Sequence, residues 1–397
     1  MKVCLVEPEM PIFGYTYVPT ALLQLATALD RAGHDVVVSK TGHDECDALC
    51  VSATMPQYYE ALNIARRSKA NTKILGGAYM TSSPGEAMSK LFDYGISGAG
   101  ELPLVSLLDG VDPSRIDGLS YWDNGLVLPE KLSRIQGLVE PHYHWVRMGK
   151  RVNFCTEQQD GLMEGMWYKV SRWLTYNDLR NVRRKPMRAI RDEIEELCSY
   201  GVSEVVVVDD PFGVNKRAFA VWSIVDELDS FSKWFCRLRP DVVLGNELVA
   251  YLEGRHCVCE IDVLTGSERL LEEHASWDME EADEVIYQLR RILPTTLHVT
   301  IGLPGETVGS LRETRAWLRM IGLPAKITTF VPYPGTTEYE EIDKYAMFGF
   351  EITGYNCLDF SMNDRSPIDR IPWQSSVIET EDFITLRNEM VEEFNKE

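Results

Sequence analysis

Nine cysteines are the first side chains in this sequence that could do chemistry: Cys4, Cys46, Cys50, Cys155, Cys198, Cys236, Cys257, Cys259 and Cys357. Thiolates are nucleophiles and metal ligands. No C-x-x-C occurs, and the nearest pairs are Cys46/Cys50 and Cys257/Cys259. The first pair flanks a strand entry. The second alternates along an apolar strand and shares one face of it, which reads as core. By spacing alone the cysteines build no metal site, and an odd number without an export signal reads as reduced thiols. Asp209-Asp210 ends the run Val205–Val208; carboxylates there face an active site if the strand belongs to a barrel, or cap a helix before Pro211. Gly76-Gly77-Ala78 and Gly98-Ala99-Gly100-Glu101 each follow a strand. Glycine in that place lets the backbone approach a ligand, or simply makes a tight turn. Gly302-Leu303-Pro304-Gly305-Glu306-Thr307 and Tyr333-Pro334-Gly335-Thr336 close later strands. A basic cluster, Lys169, Arg172, Arg180, Arg183, Arg184, Lys185, Arg188 and Arg191, is either a solvated face or a fork for a substrate carboxylate. His142 and His144, two apart, do not have metal-ligand spacing on a helix.

These residues must be positioned by a regular alternation. Lys2–Val6, Asp35–Ser39, Ala48–Ser52, Lys73–Leu75 and Tyr94–Ser97 read as strands. Pro19–Ala32, Gln57–Ser68, Glu86–Leu91 and Glu101–Leu108 read as the helices between them, with Pro19 at a first turn and Gly33 as a stop. Apolar strands separated by helices predict a doubly wound parallel sheet. Ile116–Trp122 and Leu126–Leu128 predict a hairpin turning at Asn124-Gly125. A second alternation follows a first strand near Arg151–Cys155. Its helices are Met187–Tyr200, Lys216–Asp229, Glu247–Leu252, Asp278–Ile292 and Val308–Ile321. Its strands are Glu204–Val208, Trp234–Leu238, Val258–Leu264, Leu297–Gly302 and Lys326–Val331. About six βα units fit a partial (β/α)6 barrel.

Composition narrows the partners. Lys plus Arg is 40 and Asp plus Glu is 61, a formal net charge of −21, so nucleic acid and anionic membrane surfaces are not expected. No apolar run is long enough to span a membrane, and the start MKVCLVEPEM has no signal-peptide h-region. The expected location is the cytoplasm.

Several segments resemble one family. PTALLQLATALDRAGHDVVV, ILGGAYMTSSPGEAM, ISGAGELPLVSLL and IDGLSYWDNG are similar to the amino-terminal half of cobalamin-binding radical SAM proteins. DEIEELCSYGVSEVVVVDDPFGVN, GSERLLEE, IGLPGETVGSLRET and FVPYPGTTEY are similar to their barrel half, in the same order over roughly residues 1–340. The resemblance implies an α/β fold in four parts: a cobalamin-binding, Rossmann-like domain over 1–125, a linker over 126–150, a radical-SAM-like (β/α)6 barrel over 151–340, and a C-terminal extension over 341–397. It places the corrin at Tyr15, Ser52, Thr54, Gly76, Gly77, Ala78, Gly98, Gly100 and Glu101. Since D-x-H-x-x-G is absent, it implies no protein histidine on cobalt.

One departure shapes the expected function. The family's G-C-x-x-x-C-x-x-C loop corresponds here to Gly161–Lys169, with Leu162, Met166 and Lys169 in the cysteine places and Leu264 where an acidic residue is common. Those three side chains offer no thiolate, so the sequence predicts cobalamin without an iron–sulfur cluster. The expected reaction is then polar methyl transfer through methylcobalamin, with S-adenosylmethionine (SAM) as a methyl source, on a small specialised metabolite, a carboxylated one if the basic cluster is its fork. Asp209, Asp210 and Lys169 are the expected catalytic residues. SAM-independent cyclisation or rearrangement, and a non-catalytic cobalamin carrier, are the alternatives.

Overall fold

The computed structural model describes residues 1–8, 18–42, 45–134, 139–154, 157–159, 182–207, 217–244, 248–332, 339, 342–353 and 368–394. Tyr15, Lys169, Asp209 and Asp210, and the loop positions Leu162 and Met166, lie outside them. The chain divides into two compact units. Met1–Val152 and Asn181–Val202 fall in the first, and Asn153–Thr156 and Ser203–Glu397 in the second.

In the first unit, β1 (Lys2–Val6), β2 (Asp35–Ser39), β3 (Ala48–Ser52), β4 (Thr72–Gly76) and β5 (Tyr94–Ile96) pair in parallel in the order β2-β1-β3-β4-β5. β1 and β3 are apolar on both faces because helices cover both sides. α1 (Thr20–Arg31) buries Leu22, Ala26 and Leu29 against Val3, Leu5, Ala48 and Cys50, the helical spacing read from the sequence. Gly33, at φ 85°, ends that helix. α2 (Tyr58–Arg67), α3 (Ala78–Ser82), α4 (Pro84–Ala87) and α5 (Glu101–Leu108) complete the layers. The sequence predicted one helix over 86–91. The structure instead has two short ones, because Pro84 begins a new helix where its missing N–H costs nothing, and Met88 is already extended.

The predicted hairpin forms as β6 (Leu119–Trp122) and β7 (Leu126–Val127), turning through Asn124 at φ 51°. It does not stand apart: β6 pairs antiparallel with β5, so the sheet has seven strands and a mixed edge. Beyond it, Tyr143 is buried, its hydroxyl donating to Glu193 Oε1 at 2.5 Å, and Lys185 Nζ donates to Glu193 Oε2 at 2.8 Å. Lys185, read as part of a basic cluster, is therefore an internal ion-pair partner. Arg188 is the solvated kind, its side chain 91% exposed.

In the second unit β8 (Arg151–Phe154), β11 (Glu204–Val207), β12 (Lys233–Leu238), β13 (Cys257–Leu264), β14 (Thr295–Ile301) and β15 (Ala325–Thr329) form one six-stranded sheet in sequence order. Between β8 and β11 in the chain, β9 (Glu157–Gln159) and β10 (Val182–Arg184) form a small antiparallel pair that, with α6 (Met187–Ser199), belongs to the first unit. The crossovers are α7 (Arg217–Glu227), α8 (Pro240–Leu244) with α9 (Leu248–Leu252), α10 (Glu268–His274) with α11 (Met279–Arg290), and α12 (Val308–Ile321). This is the expected half-barrel. Consecutive parallel strands with helical crossovers leave β15 as an open edge. A C-terminal helix, α13 (Thr380–Phe394), lies against β15 and α12, where Arg315 and Arg319 pair with Glu393. Trp373 donates its indole N–H to Phe330 O at 2.9 Å and packs on Phe383. Among the described residues no helix is long and apolar enough to cross a membrane.

Candidate functional site

The strand order of the first sheet reverses between β1 and β3. Loops leaving such neighbours diverge and open a crevice at the carboxyl ends of the strands. A cavity lies there, about 990 Å³ including its mouth, bounded by Glu7, Gln24, Ser52, Thr54, Gln57, Gly76, Gly77, Ala78, Gly98, Gly100 and Glu101. Eight residues expected from the sequence to meet a ligand (Ser52, Thr54, Gly76, Gly77, Ala78, Gly98, Gly100 and Glu101) are thus brought to one cavity. Gln57, from the 52–58 loop expected to meet the ligand, joins them, and Glu7 and Gln24 join unforeseen. Gln57 fixes the rim: its Nε2 donates to Pro8 O at 2.6 Å, and its Oε1 accepts from Thr54 N and Oγ1, both at 2.8 Å. Among the described residues no lysine or arginine is in the lining. Carboxylates, amides and hydroxyls suit a ligand rich in N–H and O–H groups.

The two glycines of β4's end do different work. Gly77 has φ 93°, and a Cβ on it would sit 2.6 Å from Ala53 N. A Cβ on Gly76 would meet nothing closer than Ile96 O at 4.0 Å. Gly77 lets backbones touch; Gly76 leaves room in the cavity.

In the half-barrel, alternation sorts β12 and β13 into two faces. One carries Trp234, Cys236, Cys257 and Cys259 and packs under the helices, where Trp222 of α7 meets Trp234 edge-on. The other carries Arg237, Glu260 and Asp262, joined by His298, Lys326 and Thr328 from β14 and β15. Arg237 Nε donates to Glu260 Oε1 at 2.7 Å, and Lys326 pairs with Glu260 Oε2. Burial would raise the Glu260 carboxyl, but Arg237 and Lys326 outweigh it and hold it well below the usual range. β13 ends in a bulge between Asp262 and Leu264, and Leu264 takes φ 67°, a costly conformation for a branched residue.

Under the helices, Cys236, Cys257 and Cys259 bring three sulfurs together: 3.4 Å between Cys236 and Cys257, 3.7 Å between Cys236 and Cys259, and 4.0 Å between Cys257 and Cys259. All three are buried. In each contact either sulfur can donate; contact with Cys236 and Cys259 pulls the Cys257 thiol below the ordinary range against its burial, while contact with Cys257 and Cys259, together with burial, pushes Cys236 above it. Among the described residues this is the one cluster of three or more Cys, His, Asp or Glu whose ligand atoms converge closely enough for a metal.

No protein-family model matches the chain, and no curated protein does. Among solved structures, the radical S-adenosylmethionine methyltransferase TsrM from Kitasatospora setae, determined with cobalamin and a [4Fe-4S] cluster bound, superposes with a TM-score of 0.66. The alignment covers 89% of this chain and 78% of that one, at 16% identity. The chain shares that enzyme's fold. An NAD-dependent formate dehydrogenase from Staphylococcus aureus reaches a TM-score of only 0.16, at 11% identity, and carries no argument.

The TsrM-like fold and the thiol triad together correct the sequence reading. The expectation of a protein without an iron–sulfur cluster rested on Leu162, Met166 and Lys169 and on cysteines that build no metal site. Three buried, converging thiols overturn it. The donor set fits iron: thiolates are the ligands of iron–sulfur centres. Sequence reasoning paired Cys257 with Cys259 on one face but placed them in the core alone. The signal it lacked was Cys236, opposite Cys259 on the neighbouring strand.

The Gly302–Thr307 loop after β14 holds a titrating group. Glu306 is 1% exposed; it accepts from Gly302 N–H at 3.2 Å and bonds the Ser310 hydroxyl. Burial pushes its carboxyl up to about 7 from 4.5. The native state therefore keeps a proton that the unfolded chain has released between those values, so stability falls as pH rises across that window and levels off above it. Glu306→Gln keeps an acceptor for Gly302 and a donor for Ser310. Urea unfolding at several pH values is expected to show the fall, up to about 3 kcal/mol, flattened in the variant; an unchanged profile would count against a buried titrating Glu306.

Proposed function

We propose that the protein is a cobalamin-dependent methyltransferase of the radical SAM type, with SAM as methyl donor. The observation that carries this reading is the glycine-floored cavity at the switch point of the first sheet, in a chain with the fold of a methyltransferase that binds cobalamin. Cobalamin would lie against Ser52, Thr54, Gly76, Gly77, Ala78, Gly98, Gly100 and Glu101, and iron would be held by Cys236, Cys257 and Cys259. Bound cobalamin supplies a cobalt centre able to accept and hand on a methyl group, and an iron–sulfur cluster supplies electrons. The chain's own residues bind and orient. Glu7, Gln24 and Glu101 offer acceptors for amide N–H groups, and Gln57 keeps the Thr54 rim in place. The substrate is a small molecule.

The test uses the full chain reconstituted anaerobically with iron and sulfide, then dialysed against hydroxocobalamin. About one cobalamin per chain is expected to be retained. S-adenosylhomocysteine is expected from SAM only when both cobalamin and a strong reductant are supplied. A protein that retains no cobalamin would sink the reading.

A further inference from the structure

The three sulfurs of the thiol triad form a triangle with sides of 3.4, 3.7 and 4.0 Å. Sulfurs bound at about 2.3 Å to one metal ion stand about 3.8 Å apart in a tetrahedral site and about 4.0 Å apart in a flat three-coordinate one. The thiolates of a four-iron cluster each sit on a different iron, so they stand further apart than ligands that share one ion. The triangle is therefore the size of a single ion's ligand set. Building a cluster on it requires the sulfurs to spread.

The sheet fixes that triangle. β12 and β13 are interior strands, each with hydrogen-bonded neighbours on both sides. Cys236 pairs in register with Cys259, and Cys257 stands two residues before Cys259, so all three side chains leave one face of two adjacent strands. They are 4%, 3% and 0% exposed, in the order Cys236, Cys257, Cys259. Core packing readily puts two small thiols side by side. Here three converge, and no imidazole or carboxylate converges with them. An all-sulfur set selects soft cations over hard, oxygen-seeking ones such as Mg2+. Three thiolates around a dication leave one negative charge in a buried place, which favours a cation close by. Arg255 stands two residues before Cys257, and its charge acts on that thiol. The guanidinium is anchored: its Nε donates to Tyr251 O at 2.8 Å, and its Nη1 pairs with Asp226 at 2.5 Å.

We propose that Cys236, Cys257 and Cys259 form a site for one thiophilic dication of the Zn2+ or Cd2+ class, held by all three sulfurs, and that this ion competes with iron for the triad. The competition rests on the reading that iron is held there; the ion site does not. One dication and three thiols give one metal–trithiolate unit and three protons. Nothing in that step is oxidised or reduced, and binding strengthens as pH rises because protons leave.

The test uses the full chain, kept reduced by a phosphine so that no added thiol competes, with Cd2+ as the probe. Cd2+ is supplied both to the folded protein and during refolding from urea, because thiols this buried are reached only when the sheet opens. After gel filtration about one Cd2+ per chain is expected, with the ultraviolet cadmium–thiolate absorbance of three bonds. Excess Mg2+ is expected not to displace it, and excess Zn2+ is expected to. Each of Cys236→Ser, Cys257→Ser and Cys259→Ser is expected to remove about a third of that absorbance and to weaken binding at least about tenfold. Cys50→Ala is expected to change neither. Iron and sulfide added to the Cd2+-loaded chain are expected to give less than about half the charge-transfer absorbance of the unloaded chain. No Cd2+ retained by either route, or Cd2+ retained equally by the three serine variants, overturns the ion site. Bound Cd2+ with iron loading unchanged overturns the competition. Bound Cd2+ together with failure of the cobalamin and SAM assay removes the methyltransferase reading and leaves the ion site standing.

Discussion

Gly76→Leu is expected to abolish cobalamin retention in a chain that folds normally, while Gly77→Ala is expected to damage the sheet edge itself. The two adjacent glycines separate binding from folding. A Cβ on Gly76 has 4.0 Å of clearance to its nearest neighbour and opens on the cavity, so a leucine there fills ligand space at little cost to the native contacts. Retention of cobalamin after dialysis should fall by more than about a hundredfold, equivalent to about 2.7 kcal/mol, with the unfolding midpoint nearly unchanged. Gly77 is different. Its φ of 93° disfavours any side chain, and a Cβ would press on the Ala53 amide, whose N–H donates to Gly76 O at 3.0 Å and whose carbonyl accepts from Tyr79 N at 3.2 Å. A cost of about 1–3 kcal/mol is expected from such a forced conformation, read by urea unfolding. Full cobalamin occupancy in Gly76→Leu would remove the ligand from this cavity.

Replacement of the thiol triad is expected to have the second large effect. Wild-type protein reconstituted with iron and sulfide should acquire sulfur-to-iron charge-transfer absorbance and bound iron. The triple variant Cys236→Ala, Cys257→Ala, Cys259→Ala should acquire neither. Each single change to Ala should also lower the bound iron, because it removes one of three converging thiols, and metal affinity follows the availability of thiolate. Bound metal should also raise the unfolding temperature of the wild type and not of the triple variant. Cys50→Ala is the control: this buried thiol lies in the first sheet, far in sequence from the triad. Equal iron in wild type and triple variant would remove the triad from the metal chemistry.

Much of the architecture was legible in the residues. Runs such as Val3–Val6 and Ala48–Val51 are apolar at every position because helices cover both faces, and that composition is local. Helix α1 declares itself by Leu22, Ala26 and Leu29 at helical spacing and by the Gly33 stop. The glycines after β4 and β5 pointed to the sheet edge where the cavity lies, since a ligand-sized crevice needs backbone without side chains at strand ends. Where the reading slipped, nearby chemistry overrode periodicity: Pro84 restarted a helix, and the Asn124-Gly125 hairpin, correctly foreseen, joined the main sheet through β5.

What the sequence determined alone is which face of a strand a residue occupies, because side chains alternate with a period of two. That is why Cys257 and Cys259 could be put together, and Glu260 and Asp262 on the opposite side. Which residue stands beside them was decided only by the tertiary structure. Cys236 meets Cys259, Asp262 meets His298 and Glu260 meets Lys326 through lateral pairing and reach across strands separated by whole helices. The register of a parallel pair depends on the partner strand's pattern and on the crossover between the two, so it cannot be read from either strand alone. A cysteine 21 positions from its partner therefore looks solitary in the sequence, and becomes one of three converging thiols when the sheet forms.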